Sequence, residues 1–117
     1  YQTRDVGEAM EADAGIDMGR LRVDGGAVKN NFLCQLQSDI LGTDIVRPEV
    51  DETTALGAAY AAGLAVDYWE TIDELRENWQ VDRAFDPEGD QEELDAKYDR
   101  WGDAVERSLN WAQDGGD

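Results

Sequence analysis

The chain has 117 residues, room for one compact domain. It carries 28 acidic and 10 basic residues, no histidine and a single cysteine, for a net charge of −18. That composition excludes a histidine general base, most zinc sites and an internal disulfide, and it opposes nucleic-acid binding, because so acidic a chain repels phosphate backbones.

Tyr1 to Met10 reads as the end of a helix, with Val6 and Met10 four apart and Thr3 one turn earlier, and Gly7 weakens it by about 1 kcal/mol relative to Ala. Asp13-Ala14-Gly15 is the expected stop, since glycine accepts the left-handed cap conformation. Leu21-Arg22-Val23 is a short strand, ended by Asp24-Gly25-Gly26. Phe32, Leu33, Leu36, Ile40 and Leu41 then share one helical face, closed by Gly42. Asp44-Ile45-Val46 is a second short strand, stopped by Pro48. Thr53 or Thr54 caps a third helix that runs to about Trp69. Its rows of small residues (Gly57, Ala61, Ala65; Ala58, Ala62; Ala59, Gly63) are expected to pack tightly on the sheet. Ile72 and Leu75, with Trp79 a turn further, mark a short helix. Val81 to Gly89 is a loop or extended segment, with Pro87 and Gly89 as breakers. Gln91 to Ala112 is a last helix, docked by the stripe Leu94, Tyr98, Trp101, Val105 and Leu109, and residues 114–117 read as a frayed tail.

Strands alternating with helices imply an α/β layer with a mostly parallel sheet. Two strands make an incomplete sheet, so further strands are expected from chain outside this sequence or from a partner. With Tyr1 in place of Met, the sequence is expected to begin partway through a longer chain or to have been processed. No repeat or long linker divides residues 1–117, which read as part of one domain.

The charge is spread along the chain: −6 over residues 1–66 (11 acids, 5 bases) and −12 over residues 67–117 (17 acids, 5 bases). Yet 41% of residues are apolar, with four Trp and four Tyr, which describes a folded domain with an acid-coated surface rather than a disordered acidic segment. Only Lys29 and Lys97 are lysines, against eight arginines. Abundant acids with scarce lysine resemble the proteins of salt-loving microbes, in which molar salt screens the self-repulsion. The opening residues hold no apolar run, so no signal peptide is expected. The longest apolar stretch, Ala55 to Val66, is 12 residues, so no membrane span is expected. The lone Cys34 suits a reducing cytoplasm.

The segment that carries chemistry is Leu21 to Asn31: a strand, a double glycine and a helix N-terminus. Gly25 and Gly26 lack a Cβ, so a ligand can approach the backbone, and the helix behind them offers free N–H groups and a positive dipole end. Such a turn suits phosphate or another anion. It is neither a Walker loop nor Gly-x-Gly-x-x-Gly. The Asn30 amide has two readings, a contact to a nucleotide or a plain helix cap. Asp24 likewise reads as a metal-linked carboxylate or a turn-stabilising side chain, and Lys29 as a phosphate contact or a surface cation. Carboxylates are too numerous for any pair, such as Glu92-Glu93 or Asp99 with Asp103, to stand out as catalytic.

The run Leu21 to Leu33 (LRVDGGAVKNNFL), followed by QLQSDILG at Gln35 to Gly42 and by Arg47-Pro48-Glu49-Val50 and TTALGAAY at Thr53 to Tyr60, resembles the C-terminal part of glycerol kinases in the FGGY carbohydrate kinase family. Tyr1 to Val6 is similar to the preceding helix of that family, and Trp101 to Trp111 to its closing helix. The resemblance implies the C-terminal part of an actin-like, ribonuclease-H-like ATPase domain, with an incomplete sheet and packed helices. It implies a two-domain enzyme that phosphorylates glycerol with MgATP to sn-glycerol 3-phosphate. Gly26 would donate a backbone N–H to the phosphates of ATP or ADP, Asn30 would contact the adenosine end, and Gly25 would shape the turn.

By the same resemblance the catalytic Asp, the glycerol site, the N-terminal phosphate loop and most Mg2+ contacts lie upstream of Tyr1. This chain would then hold no catalytic residue and no metal ligand, and alone it would be inactive. The full-length enzyme would be a homo-oligomer. Gly7, Lys29 and Cys34 depart from the family's usual pattern: Lys29 bears on nucleotide affinity and Gly7 on the stability of the first helix. Two other functions fit the residues, an FGGY kinase acting on a different polyol or sugar, and a stand-alone acidic interaction module without catalysis.

Overall fold

The computed structural model describes residues 1–50 and 52–109. Helix α1 spans Gln2–Ala14 and ends at Gly15, which adopts the left-handed conformation (φ 65°) and returns its N–H to the Glu11 carbonyl. Strand β1 is Arg20–Arg22, followed by a 3₁₀ turn over Gly26–Lys29 and helix α2 over Asn31–Leu41. Strand β2 is Asp44–Pro48, helix α3 Thr53–Ala65 and helix α4 Ile72–Glu77. Strand β3, Val81–Phe85, and helix α5, Gln91–Ser108, complete the described elements.

The α/β class holds. The open sheet has the order β1-β2-β3, with β1 and β2 parallel and β2 and β3 antiparallel. The sheet is thus not mostly parallel, and its third strand comes from Val81–Phe85, within the segment expected to be a loop or extended. Only Phe85 of that strand is buried, so the strand lacks the apolar alternation that betrays a half-buried strand in a sequence.

The core gathers Val28, Cys34, Ile45 and Phe85, with Leu21, Val23 and Leu41 packed around it. Helix α2 lies on this core through Cys34 and Leu41, and it also buries Ser38 and Ile40. Its expected apolar face is therefore only partly used: Phe32 remains 74% exposed, while Leu33 and Leu36 are more than a third exposed. The Ser38 hydroxyl sits within 2.9 Å of both the Thr43 and Phe85 carbonyls, tying α2 to the β3 end. On the other side, Asp39 accepts from the N–H groups of Glu88 and Gly89 and from Gln35, which fixes the entry to α5.

Helix α5 docks on α1 through the first part of its stripe. Arg4 pairs with Asp95 at 2.7 Å, and Tyr98 and Trp101 donate to Asp5 at 2.6 and 3.0 Å. Val105 and Leu109, expected in the same stripe, are 38% and 63% exposed. The stretch of the expected helix from 110 to 112 and the expected tail at 114–117 lie outside the described residues.

Helix α3 departs most from expectation. It ends at Ala65 rather than near Trp69, its N-cap is Glu52 without a side-chain cap bond, and Gly63 is its only buried residue. Its small-residue face does not pack on the sheet. Instead the chain doubles back after Asp67 (φ 56°), the Tyr68 N–H bonds the Gly63 carbonyl at 2.8 Å, and the Trp69 ring covers Gly63. A Cβ at Gly63 would run into that ring.

Candidate functional site

The expected anion-binding turn sits where the parallel strands end. The Val23 N–H reaches the Val46 carbonyl at 3.1 Å, carrying the β1–β2 pairing to the edge of the turn. Asp24 follows, and its carboxylate accepts a hydrogen bond from the Thr53 hydroxyl. This contact ties the turn to the start of α3 and leaves both readings of Asp24 open. Among the described residues no group of three or more His, Cys, Asp or Glu side chains converges to hold a metal ion.

Gly25 has φ 83° and ψ 167°, a region that only glycine occupies without strain. This reversal directs the chain into the 3₁₀ turn, where the Val28 N–H bonds the Gly25 carbonyl at 3.1 Å and the Asn30 N–H bonds Ala27 at 3.2 Å. Apart from the adjoining chain itself, nothing lies within 4 Å of where a Cβ would stand at Gly25 or Gly26, so the turn is open to approach. Gly26 is exposed.

Asn30 is the N-cap of α2, and its Oδ1 accepts the Leu33 N–H at 3.2 Å. The cap uses Oδ1 alone, so the Nδ2 donor takes no part in it. Both readings of Asn30 are compatible with this geometry, because capping fixes the side chain beside the turn. Gly25, Gly26 and Asn30 are thus brought to one exposed corner at the C-terminal ends of β1 and β2, the place where open α/β sheets take ligands.

A residue that sequence reasoning passed over organises this corner. The Arg47 side chain, 13% exposed, donates from Nη1 to the Val28 carbonyl at 2.7 Å and to Asn31 Oδ1 at 3.0 Å. Asp82 holds its other edge, with Nε and Nη2 at 2.7 and 2.6 Å. The Val28 carbonyl also accepts from Cys34 Sγ at 3.2 Å. Burial pushes the Cys34 thiol up from its ordinary pKa, which keeps it protonated as that donor. The available signal was an arginine directly after the apolar pair Ile45-Val46 and before Pro48, within β2. Lys29 flanks the same corner, lining a hollow of about 250 Å³ with Arg47, Pro48, Glu49 and Asp82.

Beside Asp24 a second hollow of about 260 Å³ is lined by Arg22, Val23, Pro48, Thr53 and Trp79. The Arg22 guanidinium lies 4.3 Å over the Trp79 ring. These two residues also border a more apolar groove of about 480 Å³ with Tyr60, Ile72, Leu75 and Arg76. The corner can therefore offer backbone N–H groups to an anion and flat apolar surface to a ring.

Residues 1–66 match the model of the FGGY family of carbohydrate kinases, C-terminal domain. The chain is 76% identical over 114 residues to a glycerol kinase of Haloquadratum walsbyi, covering 97% of this chain and 22% of that protein. It is 73% identical over 112 residues to a glycerol kinase of Halobacterium salinarum, with 96% and 22% covered. Among solved structures it resembles Plasmodium falciparum glycerol kinase with ADP, with a TM-score of 0.78 and 36% identity over 92% of this chain and 22% of that one. The chain thus spans about a fifth of the length of the curated relatives it matches.

Proposed function

Because this chain belongs to the FGGY family of carbohydrate kinases, we propose that it forms the nucleotide-holding C-terminal portion of a glycerol kinase, an enzyme that phosphorylates glycerol with MgATP to sn-glycerol 3-phosphate. The observation that carries the reading is the open Gly25–Gly26 turn capped by Asn30 at the strand ends. The names of the relatives support glycerol as acceptor, and the Plasmodium structure with ADP supports the nucleotide.

In this reading the Gly26 N–H donates to the phosphates of ATP or ADP, and Asn30 Nδ2 contacts the adenosine end. Gly25 holds the reversal that exposes both. The donors are held by the fold before the nucleotide arrives, so binding costs little reorganisation. In this reading the Mg2+ that accompanies the nucleotide would be held mainly by residues outside this chain and would neutralise charge on the transferred phosphoryl group. Phosphoryl transfer needs the acceptor and the nucleotide held in line. The chain contributes one side of that arrangement, and the rest of the full-length protein supplies the acceptor site.

A cytoplasmic enzyme working in molar salt is the proposed setting. The net charge of −18 and the relatives from halophilic archaea support it. No helix among the described residues is long and apolar enough to cross a membrane. A homo-oligomeric full-length enzyme without a nucleic-acid partner completes the proposal.

The test is glycerol-dependent release of ADP by the full-length protein in concentrated KCl. Turnover with glycerol, exceeding that with xylulose or gluconate, is the expected result. Turnover that favours another polyol or sugar moves the reading to another FGGY kinase. Absence of any ATP turnover leaves the acidic interaction module.

A further inference from the structure

We infer that Arg47 and Asp82 together form a positioning pair that sets the nucleotide affinity of the Gly25–Asn30 turn without touching the nucleotide; the inference rests on the proposed role of that turn.

The pair arises from a break in strand register. Residues Ile45, Val46 and Arg47 of β2 oppose Phe85, Ala84 and Arg83, but Pro48 opposes Val81. Asp82 is therefore the extra residue of a bulge, which bends the strand and re-aims a side chain. The bulge sets the Asp82 carboxylate against Arg47, at 2.7 Å from Nε and 2.6 Å from Nη2. With that edge of the guanidinium occupied, Nη1 is turned toward the 3₁₀ turn and the start of α2, where it bonds the Val28 carbonyl and Asn31 Oδ1 respectively. Val28 precedes Asn30 by two residues, and Asn31 follows Asn30 directly. The planar fork thus holds the chain on both sides of the residue assigned to adenosine.

Phe85 and Cys34 complete the arrangement. The Phe85 ring lies beneath Arg47 at 5.5 Å and beneath Arg83 at 4.7 Å, a buried apolar floor on which the guanidinium rests. The Cys34 thiol shares the Val28 carbonyl with Arg47. A lysine at position 47 would keep the charge but lose the fork, because an ammonium cannot grip a carboxylate edgewise while reaching two acceptors in a fixed plane.

The test compares Arg47→Lys, Asp82→Asn and Asn30→Ser with the parent in the full-length enzyme, by steady-state kinetics in ATP and in glycerol and by thermal unfolding. Arg47→Lys and Asp82→Asn should each raise the KM for ATP by about tenfold or more, as small displacements of binding groups do. The KM for glycerol and kcat at saturating ATP should stay within about twofold, the signature of lost binding rather than lost chemistry. The double variant should lose little more than either single one, since the two residues act as a unit. An ATP KM within about twofold of the parent for both variants, while Asn30→Ser raises it, overturns the positioning pair and spares the nucleotide turn. A loss in kcat and in glycerol KM that follows the melting temperature overturns it as well, by showing a general structural role. An Asn30→Ser enzyme with unchanged ATP KM overturns the turn's assignment, and the pair with it.

Discussion

The Tyr98 hydroxyl donates to the Asp5 carboxylate at 2.6 Å, joining α5 to α1 across 93 residues of sequence. Trp101 Nε1 donates to the other Asp5 oxygen at 3.0 Å, and Tyr1 stacks on the Trp101 ring at 5.9 Å. The Tyr98 bond, then the Trp101 bond, hold the Asp5 carboxyl below its ordinary pKa of 3.8. Asp95 is lowered in the same helix pair, chiefly by Arg4 and then by Gln91.

A carboxylate with a depressed folded-state pKa stabilises the fold above its unfolded value, and this contribution fades as pH falls through the folded value. Tyr98→Phe should therefore melt below the parent at neutral pH. The gap should close as pH drops below 3.8, where Asp5 protonates in both proteins. Tyr98 itself is raised, first by the bond to Asp5 and then by burial, so its contribution persists below its ordinary value of 10.0 and is lost only at higher pH. Parallel melting curves of the two proteins from neutral pH to pH 2, with a constant gap, would refute the assignment to Asp5.

Gly25 and Gly26 should separate stability from binding. Gly25→Ala forces a side chain into φ 83° and should cost about 1–3 kcal/mol. Gly26→Ala has open space for its Cβ and should change stability by no more than about 0.5 kcal/mol, yet raise the ATP KM of the full-length enzyme. Denaturant titration and ATP kinetics on both variants decide the point. Equal stability losses would contradict the separation.

Asn30→Ser divides capping from ligand contact. Serine caps a helix about as well as asparagine, so the Leu33 N–H keeps a partner and stability should hold within about 0.5 kcal/mol. The amide donor is lost, and the ATP KM should rise. Asn30→Ala should lose both, with about 1 kcal/mol of stability.

Core substitutions should be costly at the sheet centre. Ile45 is fully buried, and Ile45→Ala should cost about 2–5 kcal/mol. Ser38→Ala leaves the buried Phe85 carbonyl without its hydroxyl partner and should cost about 1–3 kcal/mol, by denaturant titration.

Salt should govern folding. With a net charge of −18, helical ellipticity should rise between dilute buffer and multimolar KCl, as the Debye length falls from about 30 Å at 0.01 M to about 3 Å at 1 M. A helical spectrum independent of KCl would contradict salt adaptation.

Local punctuation was legible because it is local chemistry. Gly15 and Gly42 end their helices in the left-handed conformation, and Asn30 begins α2, each where sequence alone places it. The turn that carries the candidate site was legible for the same reason: a strand, two glycines and a cap residue specify a backbone path over a few residues. Strand β3 was not, because its charged residues face solvent on a sheet edge and only Phe85 reports the core. The ends of α3 were misplaced because nearly every residue in it is small or apolar, so no stripe marks a face.

By itself the sequence determined the acid-coated α/β composition, the order of most helices and strands, and the Gly25-Gly26-to-Asn30 turn. Each of these depends on side-chain type and on spacing over a few residues. Only the tertiary structure decided that β3 runs antiparallel to β2 with a bulge at Asp82, and that Arg47 consequently grips Val28 and Asn31. Strand register across 35 residues is set by which side chains bury together and by where an extra residue is tolerated, and neither is written in a local pattern.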